Sequence, residues 1–94
     1  MTVDEARLSR IETALRAALT PISLSLVDES HLHRGHAGAA SGRGHFRVRV
    51  VSAIFAGKVP LARHRQVFSA LGALMETDIH ALSIEALSPD EVIT

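Results

Sequence analysis

The chain has 94 residues with 10 Lys+Arg, 10 Asp+Glu, six His and no Cys, for a formal net charge of zero. That length gives one domain, 1–94, with a modest core, and the balanced charge argues against nucleic-acid binding by bulk electrostatics. There is no disulfide framework, no apolar run near the roughly 18 residues of a membrane span, and three Phe without Tyr or Trp leave almost no stacking platform for single strands.

Thr2 and Glu5 form a capping-box pattern, and Leu8, Ile11, Leu15, Ala18 and Leu19 follow at helical spacing. The acidic start lacks the apolar core of a signal peptide, so a cytoplasmic protein is the expectation. Thr20-Pro21 ends this helix, because the residue before Pro is pushed out of the α region. Ile22, Leu24 and Leu26 alternate with Ser23 and Ser25 and predict a half-buried strand. Glu29 to Gly44 is a long connection rich in Gly, Ala, Ser and His. Phe46, Val48 and Val50 alternate with Arg47 and Arg49 in a second strand. Ser52 to Phe55 predicts a short helical turn. Pro60 opens a longer helix with the stripe His64, Val67, Phe68, Leu71, Leu74 and Met75. Thr77-Asp78 turns into a third strand, with His80, Leu82, Ile84 and Ala86 expected on one face. Ser88-Pro89-Asp90-Glu91 is a helix start, with Ser at the cap and Glu three residues on.

The order α-β-β-α-α-β predicts an α+β domain. The first two strands pair most simply as a hairpin, and the third follows a helical crossover, so it runs parallel to the second. The result is a three-stranded mixed sheet, order 1-2-3, with helices on one face. Leu15, Leu26, Phe46, Val48, Val50, Leu71, Leu74 and Ile84 are the expected core.

This topology gathers the histidines. His31, His33, His36 and His45 lie in or beside the long connection, and His80 opens a strand that starts at the same end of the sheet. Imidazole is the commonest protein metal ligand. The spacings His31-x-His33 and His33-x₂-His36 are weak metal patterns alone, and solvated loop histidines are the bland alternative. Arg63-His64-Arg65 falls at the opposite end. Two cations near a helix N-terminus oppose the helix dipole by about 0.3–1 kcal/mol each, which suggests an anionic partner surface; a solvated pair is the plain alternative. No Ser/His/Asp or Cys/His arrangement, phosphate-binding loop or dinucleotide fingerprint is present, so no enzymatic activity is expected.

Four blocks carry a resemblance: Gly44-His45-Phe46-Arg47-Val48-Arg49-Val50-Val51-Ser52, Phe55-Ala56-Gly57, Arg63-His64-Arg65 and Ile79-His80-Ala81-Leu82. In order and spacing they resemble the BolA family over nearly the whole chain. The resemblance implies a fold like a type II KH domain. It also implies partnership with a monothiol glutaredoxin, the two proteins sharing a [2Fe-2S] cluster whose other ligands are a glutaredoxin cysteine and glutathione. On the side of this chain it implies His80 as one ligand and His36, nine residues before His45, as the second, with His31, His33 or His45 as substitutes. The chain is then a monomer alone and a heterodimer with its partner, acting in iron–sulfur trafficking or in iron and redox regulation. The second reading is a DNA-binding transcriptional regulator using Arg47, Arg49, Lys58, Arg63 and Arg65. Against it, the only G-x-x-G string, Gly35 to Gly38, falls between strands, whereas KH domains place theirs between helices.

Overall fold

A computed structural model describes residues 3–33 and 42–92. Helix α1 (Val3–Leu19) leads into strand β1 (Ser23–Asp28), then a 3₁₀ turn at Ser30–His33 and strand β2 (Gly44–Val51). A 3₁₀ turn at Ala53–Phe55 precedes helix α2 (Pro60–Leu71), the one-turn helix α3 (Leu74–Thr77), strand β3 (Ile79–Leu87) and a last 3₁₀ turn at Pro89–Glu91. The strands lie in the order β1-β2-β3. β1 and β2 are antiparallel, with Leu26 opposite Val48, and β2 and β3 are parallel, with Val48 opposite Ile84. Topology and pairing are as the alternation and the helical crossover predict.

The sheet separates its faces by strand periodicity. Phe46, Val48 and Val50 of β2 are buried beneath Ile11, Leu15 and Leu19 of α1 and Val67 and Leu71 of α2. Of the expected core, Leu15, Phe46, Val48, Val50 and Leu71 are buried, while Leu26, Leu74 and Ile84 pack against it partly buried. Phe55 and Ile79 are also enclosed, at 0% and 1% exposure. The other face of the sheet is open, and a groove there runs past Ser25, Val27, Arg47, Arg49, Ser83 and Glu85.

Three expectations are corrected. Ile22 is 70% exposed and stands before β1, although its N–H still bonds the Val51 carbonyl at 2.8 Å. The predicted long helix stops at Leu71, because Gly72 takes φ 53° and caps it through the Phe68 carbonyl. Val67 and Leu71 of the predicted stripe are buried, but the third buried residue of the helix is Arg63 rather than His64, and Phe68 is 41% exposed. The end of α1 is as predicted: the helix stops at Leu19, and Thr20, before Pro21, leaves the α region for φ 42°, its N–H reaching the Arg16 carbonyl at 3.1 Å.

No helix among the described residues is long and apolar enough to cross a membrane.

Candidate functional site

The parallel ladder is irregular at its first step. Gly44 pairs with Ile79, but His45 pairs with Ala81, so β3 contributes one residue more than β2 and His80 is that residue. Such a bulge re-aims side chains. Ile79 stays in the core at 1% exposure, and His80 is exposed. This corrects the expectation that His80 shares a face with Leu82, Ile84 and Ala86, which pack on the core. His80 instead lies beside His45, with ring centroids 5.2 Å apart and planes at 49°.

Several contacts fix this corner. The Gly44 N–H donates to the Asp78 carbonyl at 2.9 Å, closing β2 onto the start of β3. A Cβ at Gly44 would lie 2.7 Å from the Phe46 ring and from Ser30 Oγ, so only glycine allows both to close over it. Ser30 Oγ accepts the His45 N–H at 3.1 Å, and the Glu29 N–H donates to the His45 carbonyl at 2.8 Å. The 3₁₀ turn after β1 is thereby held against the start of β2, and His31, exposed, rides on that turn. His36 and the His33 side chain lie outside the described residues. The segment that carries His36 leaves from this turn and returns at Gly42.

Asp78, 7% exposed, is the anchor beneath the corner. Its carboxylate accepts from Arg7 Nε at 3.1 Å, Arg10 Nη2 at 2.7 Å and Thr77 Oγ1 at 2.7 Å. Burial pushes this carboxyl up, but the Thr77, Arg10 and Arg7 hydrogen bonds outweigh it and hold the group below its ordinary value. A depressed folded-state value means the stability it contributes is present above the unfolded value of 3.8 and is lost as pH falls through the folded one. Asp78→Asn is therefore expected to lower stability at neutral pH by about 1–2 kcal/mol and to flatten the acid limb below about pH 4. Chemical denaturation at a series of pH values checks this; a variant with the parent's acid limb would contradict it.

Among the described residues, no group of three or more His, Cys, Asp or Glu is placed to hold a metal ion. Two neighbouring imidazoles are what this surface offers, so a metal centre here needs donors from the 34–41 segment or from another molecule. That donor set fits a shared iron–sulfur cluster, in which two histidines can stand for two cysteines on one iron.

The basic residues divide differently from the sequence expectation. Arg63 is 8% exposed and works inside the molecule. Its Nε donates to the Lys58 carbonyl at 2.7 Å, its Nη1 to the Ala86 carbonyl at 3.0 Å, and its guanidinium pairs with Glu91. The dipole cost read from the sequence is answered by these internal acceptors, not by a partner surface. Arg47 and Arg49 stand on the open sheet face, paired with Glu29 at 3.2 Å and Glu85 at 3.0 Å. Lys58 and Arg65 are exposed. Arg63 bonds Ala86, six residues along β3 from His80, or about 20 Å at the rise of a strand. The two ends of the domain are separate, as the topology predicts. Arg7, Arg43 and Asp78 were not singled out from the sequence, since each acquires its role from a partner more than 30 residues away.

A family model described as BolA-like protein matches residues 15–91. The DNA-binding transcriptional regulator BolA of Escherichia coli (strain K12) is 43% identical over 82 residues, covering 87% of this chain and 75% of that protein. BolA-like protein 1 of Mus musculus is 46% identical over 83 residues, covering 84% of this chain and 58% of that protein. Among solved structures, the BolA domain of SufE1 from Arabidopsis thaliana superposes with a TM-score of 0.81 at 37% identity, covering 93% of this chain and 96% of that one.

Proposed function

The chain belongs to the BolA family, and on that premise we propose that it partners a monothiol glutaredoxin and supplies two histidines to a [2Fe-2S] cluster held between the two proteins. The observation that carries the reading is the bulge at the start of β3, which exposes His80 beside His45 at the end of the sheet where the long connection returns. His80 is one ligand and His36 the second, with His31, His33 and His45 as substitutes. A glutaredoxin cysteine and glutathione complete the set. The cluster supplies a redox-active, transferable iron–sulfur unit.

This chain's own part is to present one neutral imidazole, His80, from a strand end and a second from the long connection. Imidazole ligation is lost on protonation, and replacing thiolates by neutral imidazoles makes the shared site more labile than an all-thiolate one. Lability of that kind suits iron–sulfur trafficking or iron and redox regulation, and the role is binding, not catalysis.

Mixing the chain with a monothiol glutaredoxin, glutathione and iron and sulfide under reducing conditions tests the proposal. A visible absorption and circular-dichroism spectrum distinct from that of the glutaredoxin alone is expected. Without the glutaredoxin the chain is expected to take up at most a labile metal ion, because two neutral imidazoles do not complete an iron–sulfur site. A stable [2Fe-2S] chromophore on the isolated chain would overturn the shared-site reading.

The second reading, DNA binding in transcriptional regulation, is favoured by the name of the Escherichia coli relative. Here it falls to Arg47, Arg49, Lys58 and Arg65, since Arg63 is engaged internally. Arg47 and Arg49 already face carboxylates on the same surface, which weakens their attraction for phosphate. Affinity for duplex DNA measured against salt separates the two readings.

A further inference from the structure

Arg43 stands two residues before His45, and its Nη2 lies 3.3 Å from Nδ1 of His80. A guanidinium carries only donors. The contact therefore requires Nδ1 to be the lone-pair nitrogen, which places the ring proton of neutral His80 on Nε2. A neutral imidazole has one in-plane lone pair to offer a metal, and here Arg43 occupies it.

The backbone builds this contact in. Gly42 turns the chain at φ 79°, and its carbonyl accepts from Arg7 Nη2 at 3.1 Å. Arg7 also holds the Asp78 carboxylate, and the Gly44 N–H bonds the Asp78 carbonyl. The residues on both sides of Arg43 are thus tied, directly or through Arg7, to the residue two positions before His80.

We propose that Arg43 is a selectivity latch on His80, withholding its ligating lone pair from free metal ions and yielding to a metal centre that arrives with anionic ligands. The inference rests on the reading of His80 as a ligand and adds a residue that controls access to it. Ligation through Nδ1 must displace the guanidinium. Ligation through Nε2 requires the ring proton to pass through solvent to Nδ1, where it would meet an arginine N–H. Both routes break the contact. A bare divalent cation also meets the positive charge of Arg43 at close range, whereas a centre that brings thiolates is attracted by it.

The test uses Zn²⁺ alone as the probe, added to the full chain at neutral pH and read at the His80 ring by long-range ¹H–¹⁵N NMR, with His80→Gln to assign the signals. In the native chain, unprotonated Nδ1 and weak Zn²⁺ binding at His80 are expected. Arg43→Ala should relax the ring to a mixture of tautomers and tighten Zn²⁺ binding at His80 about three- to tenfold, a gap that narrows with added salt. Arg43→Lys, which keeps a cationic donor, should stay near the native affinity. Unchanged ring shifts and Zn²⁺ affinity in Arg43→Ala would overturn the latch. The expected Zn²⁺ result together with no histidine-ligated spectrum in the glutaredoxin mixture would support the latch and overturn the cluster reading instead.

Discussion

Replacing His80 by alanine is expected to leave the domain folded and to strip histidine ligation from a cluster shared with a glutaredoxin. The side chain is exposed on a bulge, so its removal opens no cavity and should change stability by no more than about 0.5 kcal/mol. The effect on the shared centre is large because the residues flanking His80 on β3, Ile79 and Ala81, carry no donor. The retained fraction of cluster should fall at least about tenfold, beyond the lower end of what loss of an outer-shell partner produces. His36→Ala should weaken the centre less, since His31, His33 and His45 lie in or beside the same connection. His45→Ala tests whether the neighbouring ring, 5.2 Å away, is such a substitute. Visible circular dichroism of the mixture, with nitrogen hyperfine couplings from the reduced centre, reads ligation directly. An unchanged histidine signature in the His80 variant would remove this residue from the ligand set.

The second large effect is expected far from the histidines. Arg63→Met keeps much of the side chain's volume but removes its donors, leaving the Lys58 and Ala86 carbonyls without their arginine hydrogen bonds. Two such losses come to about 2 kcal/mol, or roughly 8–16 °C in the thermal midpoint of a domain this size. The ion pair adds little beyond that, since the Glu91 side chain is 41% exposed. It does leave a pH signature. The Arg63 guanidinium, with the Ser88 N–H, holds the Glu91 carboxyl down at about 2 from an ordinary 4.5. With the folded value depressed, its contribution is present above 4.5 and fades as pH falls toward 2. Arg63→Met should shrink that acid-dependent component while leaving the cluster spectrum at the other end unchanged. A variant as stable as the parent would mean that the internal acceptors find water at no cost.

These two expectations also mark where the sequence was readable. Phe46-Arg47-Val48-Arg49-Val50 declares its two faces by alternation alone, because a strand's side-chain period is fixed whatever it pairs with. The parallel third strand followed from the helical crossover, a constraint on chain handedness that requires no contact information. The corner around His80 was placed at the correct end but on the wrong face. Its orientation depends on an extra residue in the pairing of β3 with β2, which no pattern within β3 encodes. Arg63 was misread for a related reason. Its acceptors include Ala86 and Glu91, 23 and 28 residues away, so locally it looks like any solvated cation at a helix start. Gly72 marks the break, but the apolar stripe continues at helical spacing on both sides of it, so the pattern alone reads as one helix.

The bulge also bears on how such a domain can vary. In a regular ladder a one-residue slip turns every later side chain over, so strand ends and strand interiors are bound to change together. Here the slip is confined to the first step, and from His45–Ala81 onward each pair on β2 and β3 advances by one. Substitutions, insertions or a different donor at that terminal step leave the paired interior in register. The side chain at His80 is therefore uncoupled from the register of the core: a different residue on the bulge leaves Val48 opposite Ile84.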